Sequence, residues 1–124
     1  TTMNDKKNDL RERTTEFALR IVKLYKSLPK STEAQVLGKQ VLRSGTSVGA
    51  QFRESQRAKS DPDFINKLES VLQEADETAF WLELLVRAEI VPAQRLESLR
   101  KETDEIIAIL VTIVTKVKKR IGKL

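Results

Sequence analysis

Apolar residues return along this chain at steps of three and four, the spacing that keeps them on one face of an α-helix. The first run is Leu10, Thr14, Phe17, Ile21, Leu24 and Leu28, and Pro29 ends it. Thr32 with Gln35 has the form of a capping box, and Leu37, Val41, Val48 and Phe52 carry a second stripe to about Ala58. Asp61 before Pro62 reads as an N-cap followed by a proline at the first helical position. From there Phe64, Leu68, Val71, Ala75, Thr78, Leu82 and Leu85 repeat without a slip. Val91-Pro92 restarts the chain, and Leu96, Leu99, Thr103, Ile106, Leu110, Ile113, Val117 and Ile121 form the fourth stripe. The spacing predicts helices at about 8–28, 32–58, 62–89 and 92–121. Connections this short set neighbouring helices antiparallel, so residues 1–124 are expected to form one all-α domain, an up-down-up-down four-helix bundle.

One stretch of the second helix stands apart. Arg43 to Ser55, RSGTSVGAQFRES, puts two glycines and a cluster of small hydroxyls in mid-helix. A phosphate-binding loop would need a preceding strand, correctly spaced glycines and a following Lys-Ser/Thr pair, and none is present. Gly38, Leu42, Gly45 and Gly49 instead lie four, three and four apart, a smooth face beside the core stripe. Glycine inside a helix costs roughly 0.5–1 kcal/mol against alanine. Several on one face therefore point to the close approach of another helix, with Gly38, Gly45 and Gly49 as packing residues.

RSGTSVGAQFRES followed by DFINKLESVLQEADETAFWLELL resembles the four-helix-bundle family of proteins encoded in 23S rRNA intervening sequences. Arg43, Ser44, Gly45, Ser47, Val48 and Glu54 match the pattern of that family's second helix. Phe64, Lys67, Leu68, Glu74, Glu77, Thr78, Trp81 and Leu82 match its third. Gln51 stands where asparagine is usual and Phe52 where tyrosine is common. The similarity runs over about residues 15–119. It implies a ring-shaped homopentamer. It also implies kinship with the accessory variability protein of diversity-generating retroelements, a basic pentamer that binds nucleic acid and partners a reverse transcriptase.

Two segments, 79–86 and 106–114, are apolar on more faces than one core stripe uses. Phe80, Trp81, Leu84, Ile107, Val111 and Val114 are therefore expected to be covered by another subunit, the alternative being that they thicken the core where the third and fourth helices meet.

Charge is divided along the chain. Residues 1–60 carry 13 basic and 6 acidic side chains, residues 61–105 carry 5 and 12, and residues 106–124 carry 5 and none, leaving a net charge of +5. Antiparallel threading brings the start of the first helix and the ends of the second and fourth to one end of the bundle. Lys6, Lys7, Arg11, Arg13, Arg53, Arg57, Lys59, Lys116, Lys118, Lys119, Arg120 and Lys123 collect there, opposed by Asp61 and Asp63. Cations in a last helical turn are favoured by the helix dipole, which is one reading of KVKKRIGK. The other is a positive field that attracts polyanions, with Arg11, Arg13, Arg53, Arg57, Lys59, Lys116, Lys118, Lys119, Arg120 and Lys123 as phosphate contacts. No aromatic residue is interleaved with these cations, so low sequence preference is expected.

The sequence has no cysteine and no histidine, which removes the disulfide framework, the thiolate metal site, the commonest metal ligand and the usual general base. Glu69, Asp76 and Glu83 fall seven apart, but a di-metal carboxylate bundle needs Glu-x-x-His pairs. Ser44 and Ser47 have no base to activate them. No cofactor, metal or catalytic group is expected. The longest apolar run, Ile106–Val114, is far short of the roughly 20 residues that span a bilayer, and the N-terminus lacks the apolar core of a signal peptide. A cytoplasmic protein without membrane association is expected. The leading expectation is a non-enzymatic, oligomeric scaffold, a pentamer by the resemblance, that binds RNA or DNA through its basic end. Beside it stand a protein-only adaptor, for example an accessory subunit of a reverse transcriptase, and a purely structural oligomer.

Overall fold

The computed structural model describes the backbone of residues 3–122 and the side chains of residues 9–122. Lys123 lies outside the described residues, as do the side chains of Lys6 and Lys7. Four helices follow one another, α1 (Met3–Ser27), α2 (Thr32–Ser55), α3 (Asp61–Arg87) and α4 (Ala93–Arg120), in an up-down-up-down bundle. α2 packs closely on α1 and on α3, and α3 on α4, whereas α1 and α4 meet only sparsely.

The helix ends refine the periodic pattern by a few residues. Ser31, not Thr32, caps α2, its hydroxyl accepting from the Ala34 N–H. Gln35 is occupied elsewhere: its amide donates to the Pro29 carbonyl at 2.8 Å and accepts from the Tyr25 hydroxyl at 3.1 Å, which ties the α1–α2 turn. Ser60, not Asp61, caps α3 by accepting from the Asp63 N–H at 3.2 Å, while the Asp63 carboxylate accepts from the Lys59 N–H at 3.0 Å. α2 stops at Ser55, and three successive i→i−3 bonds, from Gln56, Arg57 and Ala58, tighten the chain into the turn. α3 ends in a Schellman motif: Ile90 N–H reaches the Leu85 carbonyl, Glu89 N–H reaches that of Val86, and Glu89 takes φ 60°.

The first stripe is buried throughout, with Phe17 and Ile21 at its centre. In the other helices three stripe positions turn by one residue: Ile65 is buried where Phe64 was expected, Val114 where Ile113 was, and Gly38 where Leu37 was, while Ile121 at the end of the fourth stripe is half-buried. Neighbouring residues on a helix point 100° apart, so where two apolar residues adjoin the helix rotates to bury whichever packs better. Val114, assigned by the sequence to a surplus face, thus belongs to the subunit's own core.

The smooth face of α2 is turned to α1. A Cβ added at Gly45 would lie 2.7 Å from Ile21 Cγ1, one at Gly49 3.2 Å from the Thr14 carbonyl oxygen, and one at Gly38 2.5 Å from Leu28 Cδ1. Gly45 and Gly38 face side chains and Gly49 faces backbone. This close approach of α1 accounts for the glycines of RSGTSVGAQFRES.

Candidate nucleic-acid interface

Two polar residues of that same stretch, Arg43 and Ser44, reach across to α3. Arg43 forms ion pairs with Glu77 at 2.6 Å and Glu74 at 3.2 Å, and the hydrogen bond to Glu77, ahead of both carboxylate charges, raises its pKa. Ser44 and Thr78, both fully buried, meet hydroxyl to hydroxyl at 2.9 Å. Each has a second partner on its own helix, the carbonyls of Gln40 and Glu74, so two protons serve two carbonyls and one cross-helix bond in alternation. Ser47 donates to the Arg43 carbonyl. Arg43 and Ser44 of α2 with Glu74, Glu77 and Thr78 of α3 therefore form a clasp between the two helices, and among the described residues no base is bonded to the hydroxyl of Ser44 or Ser47. Gln51 Oε1 and Trp81 Nε1 are buried without a hydrogen-bond partner among the described residues.

At the other end of the pattern, the basic residues separate into two groups. Arg13 points across to α4, where its Nε and Nη2 grip Glu102 at 2.8 and 2.7 Å and Nη2 also reaches Glu105 at 2.7 Å. The hydrogen bond to Glu102 raises the Arg13 pKa, and the same bond lowers that of Glu102 against the opposing effect of burial. Lys118 pairs with Glu69 at 2.9 Å and Arg120 with Asp61 at 3.0 Å. These three cations are held by α3 and α4 acids. Arg11, Arg53, Arg57, Lys59, Lys116 and Lys119 are exposed and have no carboxylate partner among the described residues. Among the described residues the Arg53 side chain bonds only the Thr15 hydroxyl, at 3.1 Å, which steers its guanidinium along α1 without neutralising it.

Because α1 and α4 diverge, this end of the bundle also opens into a groove of about 820 Å³. Leu10, Phe52, Phe64, Ile109, Ile113 and Val117 form its apolar walls, and Arg13, Lys59, Lys116 and Arg120 stand with Asp9 and Asp61 on its polar edge. The sequence carried no sign of the groove. The Arg13–Glu102 pair was equally hidden, since its partners lie 89 positions apart.

On the outer side of α3 and α4, Phe80 and Val111 are about half exposed, at 51% and 47%, while Trp81, Leu84 and Ile107 are half-buried. Phe80 stacks edge-on against Trp81, with ring centres 5.1 Å apart at 61°. A shallow pocket beside it is lined by Asp76, Glu83, Asp104 and Arg100. Leu19 on α1 and Val36 on α2 are also exposed.

Among the described residues no group of three His, Cys, Asp or Glu side chains could hold a metal ion, and no helix is long and apolar enough to cross a membrane. The fold and its surfaces define an antiparallel four-helix bundle in which Arg43, Ser44 and Thr78 help clasp α2 to α3 and six exposed cations without a carboxylate partner among the described residues stand at one end. Residues 6–112 match the family described as 23S rRNA-intervening sequence proteins, and the chain belongs to that family. Among solved structures it is similar to a protein of unknown function from the S23 ribosomal protein family of Bacteroides thetaiotaomicron. The two share 46% identity with a TM-score of 0.83, over 89% of this chain and 98% of that one. No curated protein matches. Neither the family nor that structure is described as an enzyme.

Proposed function

We propose that this protein is a non-enzymatic, cytoplasmic scaffold that assembles into a closed homo-oligomer, a pentamer by its family likeness, and binds nucleic acid through phosphate contacts. The observation that carries the reading is the gathering of Arg11, Arg53, Arg57, Lys59, Lys116 and Lys119 at one bundle end with no carboxylate partner among the described residues. Repeating that end around an oligomer multiplies a field that attracts polyanions. Arg13, Lys118 and Arg120, already paired with acids, would contribute less. The family's description as rRNA intervening-sequence proteins and the S23 ribosomal family of the similar structure are in keeping with RNA as the ligand.

Fluorescence anisotropy with a structured RNA and with duplex DNA, over a series of salt concentrations, tests the reading. Binding should be indifferent to sequence and fall steeply with salt. Replacing Arg11, Arg53, Arg57 and Lys119 with glutamine should lower the log–log salt slope by about 0.7–1 for each phosphate that is no longer neutralised, with helicity unchanged. Absence of binding by the wild type at low salt, or an unchanged slope in the quadruple variant, would reject phosphate contacts by these residues. The protein-only adaptor would then stand.

A further inference from the structure

We propose that the α1–α4 groove of one copy receives Phe80 of a second copy, so that the subunits join head to tail through two different surfaces. The inference rests on the oligomeric reading above and adds to it which faces meet.

Each surface lacks what the other supplies. The groove is apolar inside, wide enough at about 820 Å³ for an aromatic side chain and its neighbours, and lies where α1 and α4 fail to close on each other. Its edge carries four cations against two carboxylates, and two of the cations, Lys59 and Lys116, have no acidic partner among the described residues. Phe80 is the converse, a large apolar ring 51% exposed and backed by the Trp81 ring. Around it stand three carboxylates, Asp76, Glu83 and Asp104, against the single guanidinium of Arg100. Glu83 is shared with Arg87, whereas Asp76 and Asp104 have no basic partner among the described residues. An apolar knob ringed by acids facing an apolar groove ringed by bases is the pattern of an interface core with a complementary polar rim.

The two surfaces lie on different sides of α4. Ile109, Ile113 and Lys116 face the α1 side, and Asp104 and Val111 the α3 side. One copy cannot satisfy its own groove, and a contact between unlike surfaces leaves a free knob at one end and a free groove at the other. Such a contact propagates until a ring closes. Lys59 and Lys116 would then be covered at the joint, leaving Arg11, Arg53, Arg57 and Lys119 as the outward cations.

A mixing experiment separates this arrangement from others. Phe80→Glu removes the knob and keeps the groove; Lys59→Glu with Lys116→Glu spoils the groove edge by surface changes that leave the core intact. Light scattering coupled to size exclusion should show an oligomer for wild type and monomers for each variant, with wild-type circular dichroism. Mixed in equal amounts, the two variants retain one usable knob and one usable groove between them, so they should form a 1:1 dimer and nothing larger. Monomers that stay monomeric on mixing would overturn the head-to-tail contact. An undiminished oligomer for Phe80→Glu would overturn the knob while leaving oligomerisation standing. A wild type that is monomeric at every concentration would remove both readings together.

Discussion

Gly45→Ala adds one methyl group to the face of α2 that meets α1, and its effect can be worked from the contacts. The new Cβ would stand 2.7 Å from Ile21 Cγ1, 2.9 Å from Cγ2 and 3.1 Å from Cδ1. Ile21 is fully buried and β-branched, so in mid-helix it has essentially one side-chain setting and cannot swing aside. The helices must separate instead, and overpacking of this kind typically costs ~1–3 kcal/mol. Alanine regains about 1 kcal/mol over glycine in helix propensity, leaving a net loss of about 1 kcal/mol. For a chain of this length that is a fall in melting temperature of roughly 3–6 °C. Gly38→Ala should lose less despite a nominal 2.5 Å contact, because that contact is the tip of Leu28 just past the end of α1, and its other neighbours, Tyr25 Cδ1 and Cε1, stand farther off at 3.1 and 3.3 Å. The assay is urea unfolding followed by circular dichroism at one fixed protein concentration, on Gly45→Ala, Ile21→Ala and the pair. Ile21→Ala alone should cost ~2–5 kcal/mol, and the pair should be less destabilised than the sum by about 1 kcal/mol, since the added methyl occupies part of the vacated space. Stabilisation by Gly45→Ala, or strict additivity of the pair, would show that α1 does not press on α2 there.

Arg13→Gln should destabilise the fold by about 0.5–1 kcal/mol at neutral pH, a figure kept low because both partners are partly exposed and screened. The Glu102 pKa is lowered in the folded state by its hydrogen bond from Arg13, so its stabilisation is present above the unfolded glutamate pKa of about 4.3 and disappears as pH falls through the folded value. The wild-type advantage over Arg13→Gln in urea titrations should therefore narrow below about pH 4, and an advantage undiminished at about pH 3 would exclude the ion pair as its source. Glu89→Gly should raise the melting temperature, because φ 60° strains any residue with a Cβ. A fall would mean that the Glu89 side chain stabilises the α3–α4 turn by more than the strain it bears.

Local periodicity carries the helices and the faces they bury. The burial of Leu10, Thr14, Phe17, Ile21, Leu24 and Leu28 follows from their steps of three and four, whatever packs against them. The convergence of basic helix ends follows from loops too short to do anything but reverse the chain. Where two residues could serve equally, the sequence had no means of choosing: Ser60 and Asp61 are both good N-caps, and Phe64 with Ile65 or Ile113 with Val114 are adjacent apolar pairs whose burial depends on how the helix is rotated. The glycine face announced a close approach, and only the fold named α1 as the partner. Arg13 looked like a free cation until the register of α1 against α4 set it beside Glu102. The groove had no local trace, because no short loop joins α1 to α4. Their separation is set through α2 and α3, by packing that no single segment encodes.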